Sequence, residues 1–338
     1  MDLEYQKILD NLKSGKIIDY KVNDKVLILD SLNTFLRSFT AIKHFNNNLV
    51  HIGGLTGFLK SLGHVIKLVR PTRVICVFDG KGGSTNKRYL YPEYKANRGI
   101  SRVTNWDNFE SQDEESEAIT NQILRLVYYL RCLPVDLISI DKIEADDVIG
   151  YMAGQLKGEV TIVSSDKDYL QLVSDRVQVY SPIKKKFYTP NMVLQEYGVT
   201  PTNFLMQKVV LGDSGDNVPG VKGIGEKTLV KLYPELANDK VISLDEIIAK
   251  AETGEGKKYA GITAFKNQLY INKQLMDLTN PNIPTEALEE IHELLDNPYK
   301  EFNAKTFISL YEEDGLGESI RNLQSWLYTN FNELQKYK

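Results

Sequence analysis

The chain contains only two cysteines and four histidines in 338 residues. Cys76 and Cys132 cannot build a disulfide framework or a four-cysteine zinc site, and the histidines show no zinc-ligand spacing. Both cysteines lie in apolar stretches and read as buried thiols of a reducing compartment. No apolar run approaches the ~20 residues that span a bilayer. The opening Met-Asp-Leu-Glu-Tyr-Gln-Lys lacks a basic stretch followed by an apolar one, so a signal peptide is not expected and the location reads as cytoplasmic. A net charge of −4 gives no global positive footprint of a nucleic-acid binder. With 42% apolar and 25% charged residues the composition is that of an ordinary globular protein, which excludes disorder, collagen or coiled coil for the whole chain. At roughly 100–200 residues per domain, the length suggests about two domains. There is no internal repeat and no low-complexity tract.

Five short apolar runs rich in β-branched residues read as buried strands: Lys25–Asp30, Arg73–Asp79, 135–140, 159–164 and 176–180. Segments with helical spacing lie between them at 55–69, 117–133 and 144–156. This alternation predicts an α/β fold, a mostly parallel central sheet with helices on both faces. The functional crevice is then expected at the carboxyl ends of the strands. From about Thr189 strands disappear and short helix-like segments take over, so residues 1–190 read as one domain and 191–338 as a smaller helical one. The last part, from about residue 272, reads as helical, with amphipathic stretches at 286–295 and 320–334 and no chemical motif.

Carboxylates accumulate where that rule puts the crevice. Asp30 and Asp79 each end an apolar strand. Glu144, Asp146 and Asp147 open a predicted helix. Ser164-Ser165-Asp166-Lys167-Asp168 follows another strand, and its two aspartates share a side if the segment is extended. Asp213 and Asp216 stand three apart in a Gly-rich turn. Each group alone has a bland explanation as a cap, a helix-dipole partner or a turn former. Nine acids in one crevice are destabilising unless cations neutralise them. Oxygen donors with few histidines suit Mg²⁺ or Mn²⁺. Two such ions about 4 Å apart activate water and stabilise the leaving oxygen of a phosphodiester. A Ca²⁺-binding EF-hand fits less well, because the twelve-residue loop pattern and its final Glu are missing.

A basic segment follows Asp79. Residues 80–102 contain six Lys or Arg (Lys81, Lys87, Arg88, Lys95, Arg98, Arg102), one acid, and three tyrosines, Tyr89, Tyr91 and Tyr94. Positive charge interleaved with aromatic rings suits single-stranded nucleic acid; a solvated basic loop is the plainer alternative. The acidic run at 107–117 is either a helix start or a repulsive rim.

Taken in order, Asp30, the FDG…KR…PEYKANR stretch, Glu144-Ala-Asp-Asp, Ser-Ser-Asp-x-Asp and GDSGDNVPGVKGIGEKT resemble the 5′-nuclease superfamily over about residues 25–235. That superfamily includes flap endonucleases, the 5′-nuclease domain of bacterial DNA polymerase I and bacteriophage 5′→3′ exonucleases. Length and the extended C-terminus are most similar to the ribonucleases H of T-even bacteriophages. The resemblance implies a first metal site of Asp30, Asp79, Glu144 and Asp146, with Asp147 beside it in the outer sphere. It implies a second site of Asp166, Asp168, Asp213 and Asp216. Residues 80–117 become an arch, on which Lys95 and Arg98 touch the scissile phosphate and stabilise its growing charge. Lys87 and Arg88 draw in the 5′ strand, and a ring near Tyr94 stacks on the terminal base. Many Gly and Asn residues suggest that the arch is disordered without DNA.

Residues 218–228 nearly match a phosphate-binding P-loop, but Glu226 intrudes before Lys227 and Thr228, and no strand precedes the motif. A dinucleotide fingerprint fails for want of a third glycine. A helix–hairpin–helix turn within about 203–235 fits better: Gly220, Gly223 and Gly225 allow close approach of a phosphate, Lys222, Lys227 and Lys231 add charge, and helix N–H groups bind it. By resemblance this turn holds K⁺. The implied activity is metal-dependent hydrolysis from 5′ ends, overhangs, nicks and flaps of DNA and RNA–DNA duplexes by a monomer, with removal of RNA primers in replication. The C-terminal part is expected either to pack on the duplex-binding domain or to contact a replication partner such as a single-strand-binding protein or sliding clamp. Two other readings stand beside it: a PIN-type ribonuclease, and a non-catalytic structure-specific DNA-binding protein.

Overall fold

The computed structural model describes residues 20–99 and 108–337, the side chains of residues 98 and 99 excepted. In chain order the first part runs β1 (Lys25–Asp30), α1 (Ser31–Ala41), α2 (Gly53–Val69), β2 (Arg73–Asp79), α3 (Thr85–Leu90), α4 (Gln112–Arg131), β3 (Asp136–Ile140), α5 (Ala145–Gln155), β4 (Glu159–Val163), β5 (Val177–Ser181) and β6 (Lys186–Tyr188). The helical part follows as α6 (Pro190–Tyr197), α7 (Pro201–Leu211), α8 (Glu226–Leu232), α9 (Leu244–Thr253), α10 (Lys257–Ala264), α11 (Lys266–Met276), α12 (Thr285–Asp296), α13 (Ala304–Glu313) and α14 (Leu323–Phe331).

The strands form one sheet in the order β3-β2-β1-β4-β5-β6. All pairs are parallel except the β5–β6 hairpin, whose short last strand the sequence pattern did not reveal. Strands covered on both faces read as unbroken apolar runs. Val26, Ile28, Ile75 and Val77 point into one core, Leu27, Leu29, Val74 and Cys76 into the other. Cys76 and Cys132 are both buried free thiols. Leu29 pairs with Cys76 on one side and Val163 on the other, so β1, β2 and β4 deliver their following residues to the same end of the sheet. The strand order reverses between β1 and β4, and the crevice opens there.

Helices α5 to α12 share the core on the first face. Helices α1, α2 and α4 cover the second. Arg73 ties α12 to the far end of the sheet. It pairs with buried Asp136 at 2.7 Å and donates to the Leu294 and Leu295 carbonyls at 2.6 and 2.8 Å.

Helix α12 joins the first core, whereas Phe307 and Tyr311 of α13 and Leu327 and Phe331 of α14 are buried in the second, beside α2 and α4. The apolar faces of α13 and α14 cover ground that α2 and α4 alone leave open. Residues 85–90 form α3, and the chain after it is pinned to the Gly-rich turn by three hydrogen bonds: Lys95 N–H to the Asp216 carbonyl (2.8 Å), Asn97 Nδ2 to the Ser214 carbonyl (3.1 Å) and Asn217 Nδ2 to the Glu93 carbonyl (2.8 Å). Residues 100–107 of the arch, Arg102 included, lie outside the described residues. The acidic run is a helix start: Ser111 caps α4 through the Glu114 N–H, and Asp113, Glu114 and Glu115 occupy its first turn.

Candidate metal centre

Asp30 ends β1 and caps α1 by accepting from the Asn33 N–H at 3.2 Å. Its other oxygen accepts from the Ser164 hydroxyl (2.9 Å) and the buried Tyr169 hydroxyl (3.2 Å), which joins the end of β1 to the loop after β4. Asp79 ends β2 and accepts from the Ala145 N–H at 3.0 Å, at the start of α5. That contact brings it to Glu144, Asp146 and Asp147, whose carboxylate oxygens lie within 4.8 Å of one another. On the other side Asp168 opens a 3-10 turn, so the segment is not extended; the two acids meet because the Asp168 N–H donates to Asp166 at 2.9 Å.

Lysines and one tyrosine join these groups. Lys87 lies 3.0 Å from Glu144, 3.5 Å from Asp146 and 3.0 Å from Asp147. Lys95 pairs closely with Glu144 and lies 3.8 Å from Asp216. Its backbone is left-handed (φ 55°), a strained state for lysine that the Asp216 carbonyl holds in place. Tyr94 donates to Glu144 at 2.9 Å and Asp216 at 3.2 Å. Lys208, in the last turn of α7, lies 2.6 Å from Asp168 and pairs closely with Asp213. Asp213 also accepts from the Gly215 and Asp216 N–H groups at 2.8 and 3.2 Å. All nine predicted acids thus belong to one contiguous set.

The electrostatics are those of carboxylates held together without enough positive charge. Burial pushes Asp30 up to about 6, against the Ser164 hydrogen bond and with help from Asp79. Burial pushes Asp147 up to about 7 despite Lys87, and Asp168 up to about 7 with help from Asp166. Asp79 and Asp166 lie at the open mouth, yet protein crowds the inner side of each carboxylate and raises its pKa, with Asp146 adding to both. Glu144 goes the other way: burial opposes its charge, but Lys87 and Lys95 hold it at about 2. Lys208 likewise holds Asp213 below its usual range against burial. An all-oxygen donor set with this surplus of negative charge fits a hard divalent cation, and Glu144, Asp146 and Asp147 are placed to share one.

Family comparison agrees with this geometry. Residues 25–198 match the 5'-3' exonuclease N-terminal resolvase-like domain, and residues 199–297 match the 5'-3' exonuclease C-terminal SAM fold. The chain belongs to the 5'-3' exonuclease family. It is 33% identical over 245 residues to a 5'-3' exonuclease of Bacillus subtilis, covering 69% of this chain and 78% of that one. It is 28% identical over 308 residues to DNA polymerase I of the same organism, covering 88% of this chain but 32% of that protein, so it spans about a third of the polymerase. The fold also matches the D15 flap endonuclease of bacteriophage T5, a structure containing DNA and metal ions (TM-score 0.63, 23% identity, 85% of this chain and 99% of that one). A DNA complex of the Rad2 catalytic core gives a TM-score of 0.50 at 15% identity, over 96% of this chain and 98% of that one.

The other side chains singled out in the sequence lie as follows. Lys87 is mostly buried on three acids. Arg88 is exposed and donates to the Tyr94 carbonyl at 3.2 Å. Tyr94 is 2% exposed, so its ring faces protein; the ring open to solvent on this segment is Tyr89, at 84%. Arg98's side chain lies outside the described residues. In the helix–hairpin–helix turn, Gly220 passes so close to Leu211 that a Cβ would fall 1.9 Å from its carbonyl oxygen. Gly223 is left-handed at φ 79°, Gly225 precedes α8, and Lys222, Lys227 and Lys231 are exposed around the turn. Sequence reasoning missed Ser164, Tyr169 and Lys208. Tyr169 directly follows Asp168, but Lys208 sits in a helix with no motif of its own and is identified only by where α7 ends.

Proposed function

We propose that the chain hydrolyses phosphodiester bonds from 5′ ends and at 5′ flaps, overhangs and nicks of DNA and RNA–DNA duplexes, with two Mg²⁺ ions for which Mn²⁺ can substitute. The observation that carries this is the convergence of nine acids from five separate places on one crevice. In this reading Asp30, Asp79, Glu144 and Asp146, with Asp147 behind them, hold one ion, and Asp166, Asp168, Asp213 and Asp216 the other. Bound there, the ions supply a water of lowered pKa and stabilise charge on the phosphate. Lys95 holds positive charge above Glu144 and Asp216, where a scissile phosphate lies, and Arg98 joins it from the arch. Lys87 and Arg88 attract the 5′ strand, and Tyr94 orders the arch base. Gly220, Lys222, Gly223, Gly225 and Lys227 grip one duplex strand without reading sequence, with K⁺ at the turn. The protein acts as a monomer in the cytoplasm, of a host cell if phage-encoded, removing RNA primers and flaps in replication beside a single-strand-binding protein or sliding clamp.

The test is Mg²⁺-dependent digestion of 5′-labelled blunt, flap and RNA–DNA substrates. Cleavage at the flap junction is expected. Asp166→Asn and Asp213→Asn should bind a 5′-overhang duplex yet leave it uncut. Internal cutting of single-stranded RNA with no response to the junction points to the PIN-type alternative, and full activity in both variants removes the metal assignment.

A further inference from the structure

Helices α13 and α14 lie beyond residue 297, where the family match ends. They also build a feature that the carboxylate crevice does not use. Trp326 of α14 lies against α2 at Gly63, where a Cβ would fall 2.5 Å from its indole nitrogen. Beside this contact is an open groove of about 450 Å³. Lys60, His64 and Lys67, at i, i+4 and i+7 of α2, line it together with Arg321, Asn322 and Trp326. Among the described residues no carboxylate lines it. The four basic side chains are exposed, and no ion pair engages Lys60, Lys67 or Arg321 among the described residues. Asn322 makes no side-chain cap to α14, so the uncapped N–H groups at the positive end of that nine-residue helix lie beside Arg321.

The charged side chains lining the groove are cations, and its hydroxyl and amide groups can donate as well as accept, so the ligand it suits is a run of anionic acceptors. Lys60 and Lys67 are about 10 Å apart along the helix axis. Over that length one strand of a duplex presents about three phosphates at its 3.4 Å axial spacing. Lysine, arginine, asparagine and helix N–H groups are the set that contacts phosphates. Helix α2 leads away from the crevice toward the start of β2, the end of that strand opposite Asp79. We propose that this groove is a second nucleic-acid contact, holding a phosphodiester backbone of duplex away from the carboxylates. It rests on the phosphodiesterase reading given above.

The experiment compares the full chain with a Lys60→Ala/Lys67→Ala/Arg321→Ala variant, whose changes are all at exposed side chains. Two flap substrates are used, one with a minimal duplex stem and one with the stem extended by about two helical turns, roughly 20 base pairs. On the extended substrate the slope of log K against log salt should fall by about 2 to 3, at about 0.9 for each phosphate no longer neutralised, with affinity at least tenfold weaker. On the minimal substrate, binding and single-turnover cleavage should not change. Equal affinity and slope on the extended substrate overturn the proposal, as does failure to cleave the minimal one. Unchanged DNA binding with abolished binding of a poly-glutamate probe assigns the groove to an acidic peptide and also overturns it. A parent protein that fails to cut the minimal flap removes the catalytic reading instead, which keeps the two failures distinct.

Discussion

Tyr94 and Glu144, fifty positions apart, are joined by a 2.9 Å hydrogen bond, and the same hydroxyl reaches Asp216 at 3.2 Å. One buried phenol therefore ties the segment after α3, the first acid group and the Gly-rich turn together. Burial and the neighbouring carboxylates raise its pKa strongly, so it stays a donor.

Tyr94→Phe removes that donor from two carboxylates and leaves the ring packing in place. Hydrogen bonds to charged groups are worth about 1.5–3 kcal/mol. A loss of that size is expected in urea unfolding of the chelated protein, with a smaller loss when Mg²⁺ is present. A variant as stable as its parent in chelator contradicts the tie.

The raised carboxylates set a pH dependence. Asp30 at about 6, and Asp147 and Asp168 at about 7, bind protons more firmly folded than at their ordinary 3.8. Between roughly pH 4 and 7 the folded state then carries more protons, so stability falls as pH rises, and the loss is complete above 7. Glu144, held at about 2, contributes the opposite sign: its stabilisation is present above about 4.5 and is lost as pH falls toward 2. Metal-free protein should have a higher denaturation midpoint near pH 5 than near pH 8, and Mg²⁺ should restore the midpoint at pH 8. A midpoint that rises with pH in chelator refutes the charge surplus.

The two turn glycines differ in what they require. A Cβ at Gly220 meets the Leu211 carbonyl at 1.9 Å, so the backbone must move, whereas Gly223 has open space and only its φ of 79° to satisfy. Gly223→Ala should cost about 1 kcal/mol, and Gly220→Ala clearly more. Chemical denaturation of the two variants side by side gives the order, and the reverse order excludes close approach as the reason for Gly220.

Much of this was legible because the governing physics is local. β1 and β2 end where their apolar runs end, at Asp30 and Asp79, since strands buried on both faces are continuous apolar stretches. The acid groups were legible because carboxylates are conspicuous after such runs. The condition that Asp166 and Asp168 lie in an extended segment is not met: Asp168 opens a 3-10 turn and its N–H donates to the Asp166 carboxylate.

Residue type and spacing along the chain were enough to determine the α/β alternation, the oxygen-rich donor set and the end of the sheet where it gathers. The tertiary structure alone decided which cation neutralises which acid: Lys87 and Lys95 on Glu144, Lys208 on Asp168 and Asp213. It also decided that α13 and α14 return to the α2 face. Except for Lys208 with Asp213, five positions apart, those pairings join residues far apart in sequence, and the chain path that brings them within a few ångströms leaves no periodic trace in either partner's own segment.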